Sequence, residues 1–166
     1  MTKPTPEELR ELFSYDPETG ELRWKISLSR RTKIGDLAGS VDLQEKGRIN
    51  VRIRGTDIRA HRIIWAMVTG AWPTNQIDHI NENPNDNRWC NLREATKSQN
   101  MMNITRIRSN SSGYKGVSWH KVCKKWRALI AVNNQSVHLG LFETRDDARD
   151  AYIEAAKKLH GEFAKY

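Results

Sequence analysis

Cysteine is nearly missing from this chain of 166 residues: there are two, Cys90 and Cys123, too far apart for a CxxC pair. That scarcity excludes a disulfide framework and a cysteine-ligated zinc ribbon, and it fits a reducing cytoplasm. Long apolar runs are missing as well. No stretch approaches the ~18 consecutive apolar residues of a membrane span. The opening MTKPTPEELRELF is polar where a secretory signal carries an apolar segment. Neither a membrane partner nor a secretory route is expected. A third absence is local: no carboxylate occurs between Glu94 and Glu143.

What is there is basic. Lys and Arg number 28 against 20 Asp and Glu, a formal charge of +8. Residues 1–104 are close to balanced, with 16 basic and 14 acidic side chains, whereas residues 105–166 hold 12 and 6. The acid-free stretch contains Lys97, Arg106, Arg108, Lys115, Lys121, Lys124, Lys125 and Arg127, interleaved with Tyr114, Trp119 and Trp126. A merely solvated basic face normally carries compensating acids. Cations mixed with aromatics over so long a stretch suit phosphates and base or sugar surfaces, so a nucleic acid is the expected partner. A second basic run, Arg23 to Lys33, extends the footprint.

Hydrophobic residues make up 37% of the chain, enough for two small cores. Thr5, Pro6 and Glu8 mark the start of a helix whose apolar face is Leu9, Leu12 and Phe13. After the turn DPETG, Leu22, Trp24 and Ile26 alternate with Arg23 and Lys25 as in a half-buried strand. GRINVRIRG repeats the alternation, with Ile49, Val51 and Ile53 on one face. IRAH pairs back across a Gly-Thr-Asp turn, and RIIWAMVTG reads as a short helix ended by Gly70. An Asn-rich loop and a helical stretch around TKSQNMMN follow. The basic, Ser/Asn-rich segment 105–112 reads as a linker between a domain at 1–104 and one at 113–166. Beyond it, YKGVSWHK, WRALIAV and VHLGLF read as strands. Thr144 and Asp147 cap a last helix, expected to bury Ala148, Ala151, Tyr152, Ala155 and Leu159.

The run that can do chemistry is IDHINENPNDNRWCNLREATKSQN. Asp78 and His79 close an apolar strand; Asn91 follows twelve residues after His79, and Asn100 nine residues later on the next helix. An Asp carboxylate and an Asn carbonyl aimed at one point are two hard oxygen ligands, which suits Mg²⁺ with its retained waters. His79 titrates near neutral pH and can take a proton from water. Cutting a phosphodiester requires such a base together with charge stabilisation at the phosphate.

This spacing, with AHRIIW, G-x-W-P, DNR and NLR around it, resembles the HNH endonucleases common in phages and mobile elements. The resemblance implies a ββα-metal fold and a phage-type, intracellular protein using Mg²⁺ or Mn²⁺. By position, Asp78 and Asn100 match the metal ligands and His79 the general base. Asn91 matches the central Asn that pins the loop. His61 matches a recurrent His, placed here on the preceding strand, and Arg93 is a candidate phosphate contact. Cys90 reads as an inert packing residue.

The last third, through Y-K-G-V, K-W-x-A-x-I, L-G-x-F-x-T and an Ala-rich helix, resembles the Apetala-type (ethylene-response-factor-like) DNA-binding domain. That implies a three-stranded antiparallel sheet packed on one helix and laid against duplex DNA. Lys115, Ser118, His120 and His138 match its contact positions, with Trp119, Lys121 and Arg127 beside them. Lys97, Lys124 and Lys125 add phosphate contacts, while Trp126 is expected in the core. The whole is then an α+β protein, a metal-dependent DNA endonuclease. Monomer and homodimer are both open, as is a nick against a double-strand cut. A DNA-binding regulator that keeps the nuclease scaffold is the alternative, and single-stranded RNA is a third substrate class.

Overall fold

Thr5 accepts a hydrogen bond from the Glu8 amide while the Glu8 carboxylate accepts one from the Thr5 amide, and this reciprocal cap starts α1 (Pro6–Leu12). The computed structural model of the chain describes residues 3–27, 32–42, 44, 47–103, 112–132 and 135–166. Arg106, Arg108 and all but the last residue of the expected linker 105–112 lie outside the described residues. The chain divides into two units, Met1–Glu94 and Ala95–Tyr166.

In the first unit α1 leads into β1 (Phe13–Tyr15), which pairs antiparallel with β2 (Leu22–Trp24). The strands β3 (Ser40–Asp42), β4 (Arg48–Ile53) and β5 (Thr56–Arg59) form an antiparallel sheet in the order β3-β4-β5. The turn between β4 and β5 is the pair Arg54–Gly55, one step earlier than the expected Gly-Thr-Asp turn. The register that pairs Val51 with Ile58 and Ile53 with Thr56 leaves only two residues to turn. Helix α2 (Ala60–Thr69) follows at once, then β6 (Gln76–His79), a single 3-10 turn (Trp89–Asn91) and β7 (Leu92–Ala95), the partner of β6. Leu9, Phe13, Trp24, Val51, Ile53, Ile63, Ile64, Ile77 and Leu92 meet in one core, with the Phe13 and Trp24 rings 4.5 Å apart. Two-residue periodicity in the strands and the spacing of Ile63, Ile64 and Met67 in α2 supply the apolar faces that meet there.

His61 is not on a strand. It is the second residue of α2, because the buried helical stripe already begins at Ala60 and runs through Ile63, Ile64 and Met67. The helix therefore starts two residues before the expected RIIWAMVTG.

The second unit opens with α3 (Lys97–Asn103) and continues with β8 (Val117–His120), β9 (Lys125–Val132), β10 (Gln135–Phe142) and α4 (Arg145–His160). The strands make an antiparallel sheet in the order β10-β9-β8, and α4 packs on one of its faces. Ala128, Ala148 and Ala156 are wholly buried, and side chains this small let helix and sheet approach closely. The buried stripe of α4 is Ala148, Tyr152, Ala156 and His160, a ladder at every fourth residue. Leu159, expected in that stripe, is exposed, since it sits about 100° round the helix from His160. Trp126 packs against the Val117–Ala128–Ala148 cluster as expected. The mixed α+β class expected from the sequence is the one observed.

Gly116 precedes β8 at φ +72°, and a Cβ there would run into the Tyr152 ring and the Leu129 carbonyl. The glycine of Y-K-G-V is thus a requirement of sheet–helix packing. Gly116→Ala should lower stability by about 2–4 kcal/mol through overpacking and left-handed strain, which a urea titration against the parent protein measures.

Candidate functional site

Strand β6 carries Ile77 into the core and so draws its neighbours in with it: Asp78 is 5% exposed and His79 8%. A buried carboxylate needs a partner, and β7 supplies one. Arg93 Nε donates to Asp78 Oδ2 at 3.0 Å from a side chain only 13% exposed. Arg93, expected at a phosphate, is held against Asp78 in the structure.

His79 points its Nε2 at Asn87 Oδ1, 3.0 Å away. An amide oxygen only accepts, so Nε2 carries the proton and Nδ1 is the ring's lone-pair nitrogen. The His61 ring stands edge-on to His79, with centroids 5.1 Å apart and planes at 89°. Burial, and then the neighbouring His79, push the His61 pKa down to about 3. Burial also lowers His79 below the ordinary imidazole value, opposed by the hydrogen bond to Asn87 and the charge of Asp78. Both rings are neutral at pH 7.

The loop that holds Asn87 is built from polar groups. Asn91 Oδ1 accepts from the Asn81 amide at 2.9 Å, and Asn91 Nδ2 donates to Asn81 Oδ1 at 3.0 Å and to the Asp86 carbonyl at 2.7 Å. Its own carbonyl accepts from the Ile80 amide at 2.9 Å. Asp86 grips Arg88 at 2.6 Å, and Arg88's hydrogen bonds hold the Asp86 carboxyl down at about 2. From outside the loop, the Tyr15 hydroxyl donates to the Asn87 carbonyl at 2.8 Å. Burial pushes that phenol up to about 12, so it remains a donor. Asn87 entered the sequence reading only as the middle of DNR, with no role assigned, and Tyr15, far from the motif along the chain, was not singled out.

Asn100 and Lys97 lie on α3, in the second unit; the Asn100 amide donates to the Thr96 carbonyl at 2.9 Å. Among the described residues no three His, Cys, Asp or Glu side chains gather as a metal cage. The donors that the sequence proposes, one carboxylate and one amide carbonyl, are hard oxygens. They fit an ion that keeps most of its waters and do not fit thiolate-type zinc.

In the second unit the register puts Ser118, His120, Lys125, Arg127 and His138 on the sheet face opposite α4. Arg127 Nη2 lies 3.4 Å from Ser118 Oγ, and Lys125 pairs with Glu143 at 2.6 Å. The Cys123 amide donates to His120 Nδ1 at 3.2 Å, which leaves the proton on Nε2 and turns a donor outward. Lys121 and Lys124 are exposed on the turn between β8 and β9. Trp119 shares the helix-bearing face with Val117, its ring 5.2 Å from Trp126, and is 44% exposed. Lys115 is turned away from the sheet: its Nζ donates to the carbonyls of Met102 and Lys165.

Comparison with known proteins adds two family matches. The HNH endonuclease family matches residues 59–102 and the AP2 domain residues 112–162. Protein 3.8 of Escherichia phage T7 is 32% identical over 111 residues, 65% of this chain and 89% of that protein. An uncharacterized HNH endonuclease of Acanthamoeba polyphaga mimivirus is 33% identical over 110 residues, 64% of this chain and 56% of that protein. No solved structure matches the chain.

The two buried imidazoles make stability depend on pH. His61 binds no proton in the folded chain until about pH 3 but binds one near pH 6.5 when unfolded. Stability is therefore full above pH 6.5 and falls on acidification, by about 1.4 kcal/mol per pH unit from this residue alone. Urea midpoints at pH 7.5 and pH 5 should differ in that direction, and His61→Gln should shrink the difference.

Proposed function

The chain belongs to the HNH endonuclease family and carries an AP2 domain behind the HNH motif, and we propose that it is a metal-dependent endonuclease of double-stranded DNA. The observation that carries this reading is the buried His79 beside Asp78, with its Nε2 3.0 Å from the Asn87 carboxamide oxygen. Nδ1 takes a proton from a water molecule; the resulting hydroxide attacks the scissile phosphorus, the P–O3′ bond breaks and the departing 3′ oxygen takes a proton from solvent, leaving 5′-phosphate and 3′-hydroxyl ends. HNH nucleases generally use a divalent ion; here Mg²⁺ or Mn²⁺ held through the Asp78 carboxylate would supply charge stabilisation at the phosphate and the leaving oxygen. The second ligand expected from the sequence, Asn100, belongs to the other unit. Arg93 orients Asp78, and Asn91 holds the loop in register. One such site per chain cuts one strand per binding event, so a double-strand break requires a dimer or two events.

DNA affinity is assigned to the other lobe. The outer face of the three-stranded sheet, with Ser118, His120, Lys125, Arg127 and His138, reads the duplex. Lys121 and Lys124 on its turn meet phosphates, and Lys97 on α3 is a further phosphate contact. Lys115, held by backbone carbonyls, and Trp119, on the helix-bearing face, lie off that surface. On this reading the nuclease lobe is 1–104 and the DNA-binding lobe 113–166, with the basic segment 105–112 between them. Helix α3, which groups with the second structural unit, belongs to the nuclease motif by sequence.

Supercoiled plasmid incubated with Mg²⁺ or with EDTA tests the reading. Parent protein should convert it to open-circular or linear DNA with the metal and not with EDTA. His79→Ala should slow conversion by about 10²–10⁴-fold while its gel-shift affinity stays nearly intact. A shift without cleavage by the parent would favour a DNA-binding regulator on a retained nuclease scaffold. Binding should also weaken steeply with salt, and log affinity that stays flat against log salt would refute the phosphate contacts.

A further inference from the structure

The HNH match begins at residue 59, yet the loop beside His79 is held from far upstream. Asn87 is 2% exposed and offers two different surfaces. Its side-chain oxygen meets His79 Nε2, and its backbone carbonyl receives the Tyr15 hydroxyl. The turn after Tyr15 presses on the same spot. The Trp89 amide donates to the Pro17 carbonyl at 3.1 Å. Gly20, at φ +79°, brings its backbone so close that a Cβ would stand 2.5 Å from the Arg88 nitrogen and 2.6 Å from the Asn87 carbonyl carbon. Two hydrogen bonds and a close backbone contact thus converge from residues 15–20 on the backbone from Asn87 to Trp89.

We propose that Asn87 is a positioning residue for the His79 base, and that the β1–β2 hairpin serves the reaction by holding Asn87 in place. The carboxamide oxygen accepts a hydrogen bond from Nε2–H, selects that tautomer and sets the ring orientation so that the lone pair is on Nδ1. A neutral imidazole in the other tautomer would present N–H where the lone pair is needed. The hairpin contributes no group to the reacting atoms; it fixes the backbone from which Asn87 reaches. This inference rests on the nuclease reading above for its catalytic consequence, though not for its geometry.

Three full-length variants test it. Asn87→Leu keeps the approximate volume and removes the acceptor, Asn87→Asp restores an acceptor oxygen, and Tyr15→Phe removes only the hydroxyl donor. The 15N spectrum of the His79 ring, recorded without DNA or metal, should show the proton on Nε2 in the parent and in Asn87→Asp. In Asn87→Leu it should show a mixture of tautomers. In cleavage assays Asn87→Leu should lose kcat by about tenfold or more with KM for DNA unchanged. Asn87→Asp should recover most of that loss, and Tyr15→Phe should show a smaller loss confined to kcat. An Nδ1 proton in the parent spectrum, or unaltered kcat in Asn87→Leu, would overturn the proposal. Should Asn87→Leu fail to fold, Tyr15→Phe decides through the same two readouts. A parent that never cuts DNA would refute the nuclease reading, while the ring spectrum would still decide the role of Asn87.

Discussion

Between Ile80 and Trp89 the chain runs NENPNDNR, a loop with no aliphatic or aromatic side chain to bury apart from Pro84. Its shape therefore depends mainly on hydrogen bonds, and the buried carboxamide of Asn91 makes three of them from one side chain. A polar network of this kind defines one conformation only when its members are satisfied together. Once Asn91 closes the loop between Asn81 and Asp86, Asn87 is carried inward to His79, and the pair of strands β6 and β7 keeps Asp78 against Arg93. The site is a hydrogen-bonded cage set on an apolar floor, with Ile77 and Leu92 as its two anchors in the core.

That cage explains why the upstream hairpin and α2 are as much part of the site as the motif itself. α2 delivers His61 edge-on to His79, and burial lowers the pKa of both imidazoles. The hairpin closes the loop from its outer side through Tyr15, Pro17 and Gly20. The second unit follows a different design. Small alanines set α4 tight on the sheet, and the opposite face is left with Ser, His, Lys and Arg side chains. One unit buries polar residues beside its motif, while the other leaves polar residues on the open face of its sheet.

Much of this was legible along the chain. The capping box of α1, the alternation in β4, the three strands of the second unit and the cap of α4 are local patterns, and local patterns survive folding. The Asp-His pair and the later asparagines stood out by spacing, and the acid-free stretch stood out by charge. The errors came where a boundary is set by partners in space. His61 reads equally as the end of a strand or the start of a helix, and the packing of Ala60 against the core makes it helical. Leu159 looks like a core residue by type, yet the ladder of alanines, Tyr152 and His160 turns it outward.

By itself the sequence determined most of the elements, the basic character of the second unit, and which side chain types are available to act as base, ligand or phosphate contact. Those are properties of residue type and short-range periodicity. Tertiary structure alone decided which of the neighbouring asparagines reaches His79, that Arg93 meets Asp78, that Lys115 turns to backbone carbonyls, and that Tyr15 braces a loop 72 residues away. Asn81, Asn83, Asn85 and Asn87 are chemically identical, and only the folded path of the loop distinguishes them. A hydrogen bond acts over about 3 Å of space, and no pattern in the chain records which distant residues folding will bring that close.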